Sequence, residues 1–228
     1  MDKILSIETS SEACSVALSI NDSVSEKFEH APRRHAELVL PMVRSLLAEA
    51  ELALGALDII AFGRGPGSFT SLRIGIGVVQ GLAWGADLPV VPVSSLAAVA
   101  QAAFERGVAA EISRICVAMD ARMQELYSAE FEIGVNGLAQ PVSTERVCPP
   151  SAILVDAPGQ VCGAGNGFER YPELAQLGQG LALCMPDCWP RADAVCRLAR
   201  GWLENNKPLP AALAQPVYIR DKVAEKPA

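Results

Sequence analysis

The stretch ILSIETSSEACSVALSINDSVSEKFE, residues 4–29, decides the fold. Residues 4–7 form a short apolar run, which indicates a buried strand. Residues 14–20 alternate apolar with small side chains, which indicates a second, half-buried strand. Asn21-Asp22 is a turn signal, and residues 23–29 can form a third strand. We therefore expect the chain to begin as an antiparallel three-stranded meander.

The residues that follow the meander alternate between helical and strand patterns. Paired apolar residues predict a helix at 34–54, and Pro41 sits early in it. The elements expected next are a strand at 57–62, a glycine-rich loop and helix at 63–85 with Ser68 or Thr70 as N-cap, a strand at 89–93 and a helix from Ser94-Ser95 to about Arg106.

The second half of the chain repeats this element order. Strands are expected at 115–119, 125–133, 139–147 and 160–162, and helices at 149–155, 167–176 and 192–205. We predict an α/β protein of two ribonuclease-H-like lobes, the actin/hexokinase/Hsp70 (ASKHA) architecture. The lobes would be residues 1–108 and 109–228, and the last helix and tail could pack back on the first lobe. Proteins of this architecture usually bind a nucleotide between their lobes, which is an analogy of fold and not of function.

The glycine-rich stretch GRGPGSFTSLRIGIGVVQGLAWG spans residues 63–85. Gly77, Gly81 and Gly85 are four residues apart, so they lie along one side of a helix. Each interior glycine costs a helix about 1 kcal/mol relative to alanine. The simplest compensation is close approach of another backbone, from this chain, a second copy or a different protein. A phosphate-binding loop is less consistent with the stretch, because the lysine and spacing of a P-loop are missing and Pro66 removes an amide.

Composition limits the classes of function. The chain has 228 residues, 50% of them hydrophobic, and a formal net charge of -7. An acidic chain without a Lys/Arg stripe is a poor stand-alone binder of nucleic acid. The N-terminus lacks the apolar core of a signal peptide, and no apolar run has the length of a membrane span. We expect a cytoplasmic protein that does not contact membrane, with its 7 cysteines reduced.

Two turns are candidates for a vestigial nucleotide site. Glu8, Thr9 and Ser10 follow the first strand, where nucleotide-binding relatives of the architecture have an acid and a glycine-containing turn. A hydroxyl-rich turn can still bind an anion, although a structural turn at the end of the strand is the favoured interpretation of these residues. Gly163, Gly165 and Asn166 form the GAGNG turn of the second lobe, where adenosine often binds, and a tight turn is the alternative.

Acid–base, nucleophilic and metal chemistry have few candidates. The chain has 2 histidines, His30 and His35, which lack the four-residue spacing of a helical metal pair. No Ser-His-Asp or Cys-His set can be assembled from them. Asp120 and Glu125 flank Arg122, where paired carboxylates are one interpretation and a hairpin salt bridge is the simpler one. We expect no catalytic residue and no metal site.

Several motifs together resemble one family. They are ILSIETSSEACSVAL from residue 4, RRHAELVLPMV from 33, GRGPGSFTSLRIGIGVVQGLAWG from 63, VPVSSLAAVA from 91, MDARMQELYSAEF from 119 and PVYIRDKVA from 216. In this order they resemble the bacterial TsaB (YeaZ) family of tRNA threonylcarbamoyladenosine biosynthesis proteins, once grouped with the glycoproteases. The match runs from the first strand to the tail.

The resemblance implies a subunit of the machinery that places a threonylcarbamoyl group on the adenosine next to the anticodon in tRNAs reading ANN codons. It implies pairing with the catalytic paralogue TsaD, then with the ATPase TsaE, downstream of a TsaC-type threonylcarbamoyl-AMP synthase. ATP or ADP and metal are expected on those partners and not on this chain. Alone, the chain would form a homodimer, and tRNA would be reached only through the complex.

The resemblance also places the partner and dimer surface on the first two helices of the first lobe. The residues predicted for it are His35, Leu38, Val39, Met42, Leu46, Arg73, Ile74, Gly77, Val78, Gly81, Leu82 and Gly85. TsaD proteins carry two metal-binding histidines four apart after the strand corresponding to 89–93, and this chain has SSLAAV there. We therefore expect a non-catalytic scaffold. The alternatives are a stand-alone ATP-binding enzyme, an M22-type peptidase, or direct tRNA contact by this chain.

Overall fold

Two β-sheets of the same topology form the framework of the described chain. The structure is a computed structural model that describes residues 3–21, 23–107, 112–154, 159–177 and 180–220. The strands of the first sheet are β1 (Lys3–Glu8), β2 (Ala13–Ile20), β3 (Ser23–His30), β4 (Ile59–Gly63) and β5 (Val90–Val93). Their order is β3-β2-β1-β4-β5, with β1, β2 and β3 antiparallel and β4 and β5 parallel to β1. The predicted meander is confirmed.

The second sheet repeats that order with later strands. Its strands are β6 (Arg114–Asp120), β7 (Leu126–Ile133), β8 (Ala139–Pro141), β9 (Arg146–Cys148), β10 (Val161–Ala164) and β11 (Leu181–Met185). The order is β11-β10-β6-β7-β8, and β9 pairs separately with β7. Two predictions are corrected. The single strand expected at 139–147 is two separate strands, β8 and β9, which both pair with β7. The strand β11 was not predicted. The predicted fold class is confirmed.

Six α-helices are found among the described residues. They are α1 (His35–Glu49), α2 (Phe69–Gly85), α3 (Ser95–Glu105), α4 (Gly167–Arg170), α5 (Pro172–Gln176) and α6 (Ala192–Leu203). The helix predicted at 34–54 ends earlier because Glu51 takes a left-handed conformation, with φ of 51°. Leu52 N–H then returns to Leu47 O at 2.9 Å, which satisfies a terminal carbonyl. The helix expected at 167–176 is divided at Tyr171, before Pro172.

The helices and sheets alternate in layers. α1 and α2 cover one face of the first sheet, and α4 and α5 pack with the outer face of the second. α3 and α6 lie between the sheets in one shared core. α6 packs on β1, β2 and β4, although it comes late in the chain. The lobe boundary predicted at 108/109, Asp22 of the first turn and residue 155 of the predicted helix lie outside the described residues.

The N-terminus of α6 is held by side chains of the first sheet. Ser15 Oγ accepts a hydrogen bond from Ala192 N–H at 2.9 Å, and Glu26 Oε1 accepts from the same amide at 3.1 Å. Glu26 also pairs with Arg191. Because α6 covers the second face of β2, that strand is buried on both faces, and the expectation that it is half-buried is corrected.

The glycines at the start of the glycine-rich stretch pack against the turn after β1. A Cβ at Gly63 would lie 1.9 Å from Glu8 Oε2, and one at Gly67 would lie 2.3 Å from Ser10 O. At Gly75 it would lie 2.1 Å from Thr9 Oγ1. At these three positions the missing side chain makes room for this chain's own residues.

The glycines in the second half of α2 are different. Gly77, Gly81 and Gly85 are exposed, and a Cβ at any of them would meet nothing of the described chain within 4 Å. The backbone that was expected to approach these glycines therefore does not come from the described part of this chain, which leaves a second copy or a different protein. The glycine stripe is therefore an open surface.

Alanine substitution at two glycines of α2 should have opposite effects on stability. We expect Gly75→Ala to lower the free energy of unfolding by about 1–3 kcal/mol, because the new methyl group displaces Thr9. Gly77→Ala should raise it by up to about 1 kcal/mol, because the site is open and alanine favours helix. Urea denaturation of both variants measures the difference, and a shift in the same direction for both would contradict this packing.

Removing the carboxylate of Glu26 should weaken the attachment of α6. We expect Glu26→Ala to cost about 1–3 kcal/mol of stability, because Ser15 and Arg191 lose the carboxylate to which they donate and the Ala192 amide loses one of its two acceptors. The matched control is Glu132→Ala, which removes an exposed partner of Arg114 and should change stability by less than about 1 kcal/mol. Thermal unfolding checks both, and equal effects would mean that Glu26 does not anchor α6.

Candidate functional site

The outer side of α1 and α2 carries eight of the twelve residues predicted for a partner surface. Arg73, Gly77, Gly81 and Gly85 are exposed on α2. The half-buried residues are Leu38, Ile74, Val78 and Leu82. We call these eight residues the α1–α2 face. They surround the glycine stripe with apolar side chains and a single cation.

The other four predicted interface residues are buried in this chain's own core. Val39, Met42 and Leu46 pack with the first sheet in its apolar cluster, and none is more than 8% exposed. His35 is 2% exposed, and its Nε2 lies 3.1 Å from Ala13 O. Because a carbonyl oxygen can only accept a hydrogen bond, Nε2 of His35 is the donor and carries a proton. These four side chains pack within this chain, as the most apolar side of an amphipathic helix does, and their assignment to partner contact stays a prediction.

The sequence reasoning missed two exposed apolar residues beside these helices. Leu40 on α1 is 44% exposed and Trp84 on α2 is 75% exposed. Helical spacing could have identified Trp84, because it lies three residues after Gly81 and seven after Gly77. Trp84, a large apolar side chain held in water beside the glycine stripe, extends the accessible apolar area there.

The Glu8 turn is satisfied from within the chain. The Glu8 carboxylate is buried and accepts hydrogen bonds from Ser10 N–H at 2.6 Å and from Ser95 Oγ at 2.8 Å. Burial raises the pKa of this carboxyl, and the bonds from Ser10 and Ser95 oppose that shift. Thr9 Oγ1 donates to Ser71 O at 2.9 Å. With Gly63 and Gly67 packed onto the turn, its polar groups bind the chain itself.

The GAGNG turn is also packed from within. A Cβ at Gly163 would lie 2.7 Å from the Phe168 ring, and one at Gly165 would lie 2.5 Å from Ala118 O. Asn166 Oδ1 accepts a hydrogen bond from Asp120 N–H at 2.9 Å. Both glycines therefore serve close packing, and Asn166 holds the end of β6.

A cleft of about 1340 Å³ separates these two turns. Of the six residues predicted for a vestigial nucleotide site, Ser10 and Asn166 line it, whereas Glu8, Thr9, Gly163 and Gly165 lie behind its walls. The structure brings the two turns to the same cleft, whose other lining residues include the acids Glu12 and Asp120 and Gly67 of the glycine-rich loop. The assignment of these six residues to a vestigial nucleotide site stays a prediction.

The turn between β6 and β7 lines the cleft. Arg122, Met123 and Gln124 all have positive φ, at 63°, 54° and 57°. Arg122 pairs with Asp120 at 3.3 Å, the expected hairpin salt bridge, and with Glu12 of the first lobe at 2.8 Å. Glu125 pairs instead with Arg220 of the tail. These ion pairs hold the turn in a backbone conformation that residues other than glycine rarely adopt.

Nucleophiles and metal ligands are not assembled in the described residues. Burial raises the thiol pKa of Cys14, Cys116, Cys162 and Cys196 to about 12 and that of Cys188 to about 11. Such thiols are neutral and unreactive near pH 7. The described residues contain no group of three or more His, Cys, Asp or Glu side chains that could hold a metal ion. In the same residues, no helix has the length and apolarity to cross a membrane.

Comparisons with known proteins place these features in one family. Residues 27–174 match the family model described as "TsaD: tRNA N6-adenosine threonylcarbamoyltransferase". The chain is 38% identical to the tRNA threonylcarbamoyladenosine biosynthesis protein TsaB of Escherichia coli K12, over 98% of this chain and 97% of that protein. It is 36% identical to the protein of the same name from Haemophilus influenzae, over 98% and 95% of the two chains.

A solved structure agrees with the sequence relatives. YeaZ from Pseudomonas aeruginosa superposes with a TM-score of 0.86 at 40% identity, covering 96% of this chain and all of that one (100%). The full-length identities, the shared fold and the two-lobed topology agree with the resemblance carried by the sequence motifs. This chain belongs to the TsaB (YeaZ) family of tRNA threonylcarbamoyladenosine biosynthesis proteins.

Proposed function

We propose that this chain is a non-catalytic scaffold and activator subunit for threonylcarbamoyl transfer to the adenosine next to the anticodon in tRNAs reading ANN codons. It acts by forming a heterodimer with the catalytic TsaD paralogue through the α1–α2 face. The observation that carries the proposal is the open glycine stripe. Gly77, Gly81 and Gly85 leave the α2 backbone bare, with nothing of the described chain within contact distance of an added Cβ.

The composition of α2 supports a protein partner. Between Phe69 and Gly85 the helix contains one charged residue, Arg73. Solvent-exposed helices normally carry several charges on their outer side. Trp84 and the half-buried Ile74 and Val78 add apolar area beside the glycines. A bare backbone flanked by apolar side chains allows another helix to approach closely, and desolvating it costs little because few charges are lost from water.

The packed cleft walls support a non-catalytic role. The side chains of Glu8 and Thr9 form their hydrogen bonds with other residues of this chain, and the loop glycines pack against this chain's own atoms. ATP or ADP and metal belong to the partner subunits in this proposal. TsaE joins the pair, a TsaC-type synthase supplies the activated group, and tRNA is reached through the complex. Alone, the chain uses the same face to form a homodimer.

A stand-alone peptidase is disfavoured by the state of the buried thiols and of His35. The buried thiols have pKa values far above neutral pH, and the His35 ring is engaged with a backbone carbonyl. A stand-alone ATP-dependent enzyme is disfavoured by the packed turns. Direct tRNA contact is disfavoured by the net charge of -7.

Filling the glycine stripe should weaken the complex with the partner and reduce activation. We expect Gly81→Leu to weaken the heterodimer with the TsaD paralogue by at least roughly 10-fold, because a leucine keeps the two backbones apart. Analytical ultracentrifugation measures the complex, and reconstituted tRNA modification with and without this chain measures the function. Modification should require the chain and should fall with the variant.

The matched control is Gly55→Leu, at an exposed and open glycine outside both helices. It should fold, bind and activate like the unaltered chain. Gly81→Ala separates folding from docking, because it should slightly stabilise the helix while weakening the complex less than leucine does. A heterodimer unchanged by Gly81→Leu would exclude this face, and modification without the chain would exclude the proposed function.

The isolated chain should not bind ATP tightly. Because the polar groups of the Glu8 turn are already bonded within the chain, we expect calorimetric titration with ATP and magnesium to give no saturable heat at micromolar concentrations. The TsaD paralogue titrated in the same way is the positive control. Micromolar binding by the isolated chain would favour the stand-alone enzyme over the scaffold.

A further inference from the structure

Arg73 is the one charged residue of α2, and it lies on the α1–α2 face. It is exposed and sits four residues before Gly77, so it marks the start of the glycine stripe. No described carboxylate lies within salt-bridge distance of it, whereas Arg34, Arg64, Arg106 and Arg122 each have such a partner. Other exposed arginines, such as Arg146, also lack such a partner, and what distinguishes Arg73 is its position at the start of the glycine stripe.

The Arg73 side chain is held in place by two aromatic residues. Its guanidinium carbon lies 3.8 Å from the centroid of the Phe69 ring, one turn earlier on the same helix. Its Nε donates a hydrogen bond to the Tyr218 hydroxyl at 2.9 Å. The Phe69 and Tyr218 rings also contact each other, with centroids 5.3 Å apart. The stack restricts the guanidinium and leaves its terminal N–H groups without an acceptor among the described residues.

Tyr218 reaches α2 because the tail is fastened to the first lobe. We call residues 214–220 the strap. Gln80 Nε2 donates to Ala214 O at 2.7 Å, and Val217 N–H donates to Arg64 O at 2.8 Å. These two bonds anchor the chain just before Tyr218 and so set the position of that residue. The strap therefore orients a side chain of the docking helix from more than a hundred residues away in sequence.

An oriented guanidinium is suited to a planar carboxylate. Its terminal N–H groups match the two oxygens, and a stacked arginine loses little further freedom when it binds. A phosphate is the other common acceptor, but nucleic-acid surfaces use clustered cations. Here the neighbours along α2 are Ile74, Gly77 and Val78, which are apolar or lack a side chain. This setting favours a protein carboxylate at the rim of an apolar contact.

Charge also distinguishes a different protein from a second copy of this chain. The α2 helix of a second copy offers no acid to Arg73. The acids of α1 are Glu37 and Glu49, and each is already paired within the chain, with Arg34 and Lys27. A homodimer through this face would leave Arg73 without a free carboxylate on these helices.

We infer that Arg73 is a specificity-determining residue of the α1–α2 face that pairs with a carboxylate side chain of the catalytic partner, and that Tyr218 of the strap is its positioning residue. The inference rests on the proposed function. It goes beyond that function in two respects. It names Arg73 as the residue that distinguishes the heterodimer from the homodimer, and it requires a carboxylate on the partner's surface.

The test is the affinity of the heterodimer with the TsaD paralogue at low and high salt. We expect Arg73→Gln to raise Kd roughly 30-fold and to reduce the dependence of Kd on salt, because a charged pair is lost. Arg73→Lys keeps the charge without the planar fork and should recover only part of the affinity. Homodimer affinity should change by less than roughly 3-fold, since that contact lacks the carboxylate.

Tyr218→Phe tests positioning, because it keeps the ring and removes the hydroxyl. It should raise Kd roughly 3- to 5-fold in the unaltered chain and have no effect when Arg73 is already glutamine. A merely structural role of Tyr218 would give the same effect in both backgrounds and would overturn its assignment. The matched control is Arg146→Gln, at an exposed arginine on β9 that also lacks a described carboxylate partner. It should leave both affinities unchanged.

The outcomes separate this inference from the proposed function. If the unaltered chain forms no heterodimer, the proposed function fails. If the heterodimer forms and Arg73→Gln binds as tightly as Arg146→Gln, the carboxylate pair is wrong and the scaffold stands. If Arg73→Gln leaves the heterodimer intact but lowers the affinity of the complex for tRNA, Arg73 contacts phosphate, which also overturns the pair.

Discussion

The close packing of a glycine-rich loop on the turn after β1 is the constraint on which the rest of this structure depends. Gly63, Gly67 and Gly75 have no side chains, so the loop and the first half of α2 lie directly against Glu8, Thr9 and Ser10. The turn then finds its hydrogen-bond partners inside the chain, including Ser71 and Ser95. A buried carboxylate at the end of β1 is tolerated because its oxygens are bonded in this way.

Two consequences follow from that packing. In proteins of this architecture the turn after the first strand can face a phosphate, but here its polar groups are used by the chain itself. In addition, α2 is fixed against the first sheet by one side, so the opposite side has a defined position in solvent. Gly77, Gly81 and Arg73 are displayed there on a rigid element, and rigidity lowers the entropy lost on docking.

Much of the fold was predictable from local sequence, whereas the composition of the candidate site was less so. The meander at the start, the repeated element order and the N-cap at Ser94 follow from alternation, turn residues and capping chemistry. β11 was missed because Leu181–Met185 lacks alternation and lies at the edge of its sheet. The resemblance assigned Val39, Met42 and Leu46 to a partner surface, but it identifies the two helices and not the side of each helix that this chain's own core covers.

The sequence by itself determined the α/β class, the family and the presence of a glycine stripe, because these depend on periodicity and on motifs read along the chain. Only the tertiary structure distinguished the glycines that pack against other atoms of this chain from those that face open space, because this difference depends on what lies opposite each Cα. Likewise, only folding brought Tyr218 to Arg73 and Glu26 to the start of α6. Such contacts join residues distant in sequence, and no local pattern records them.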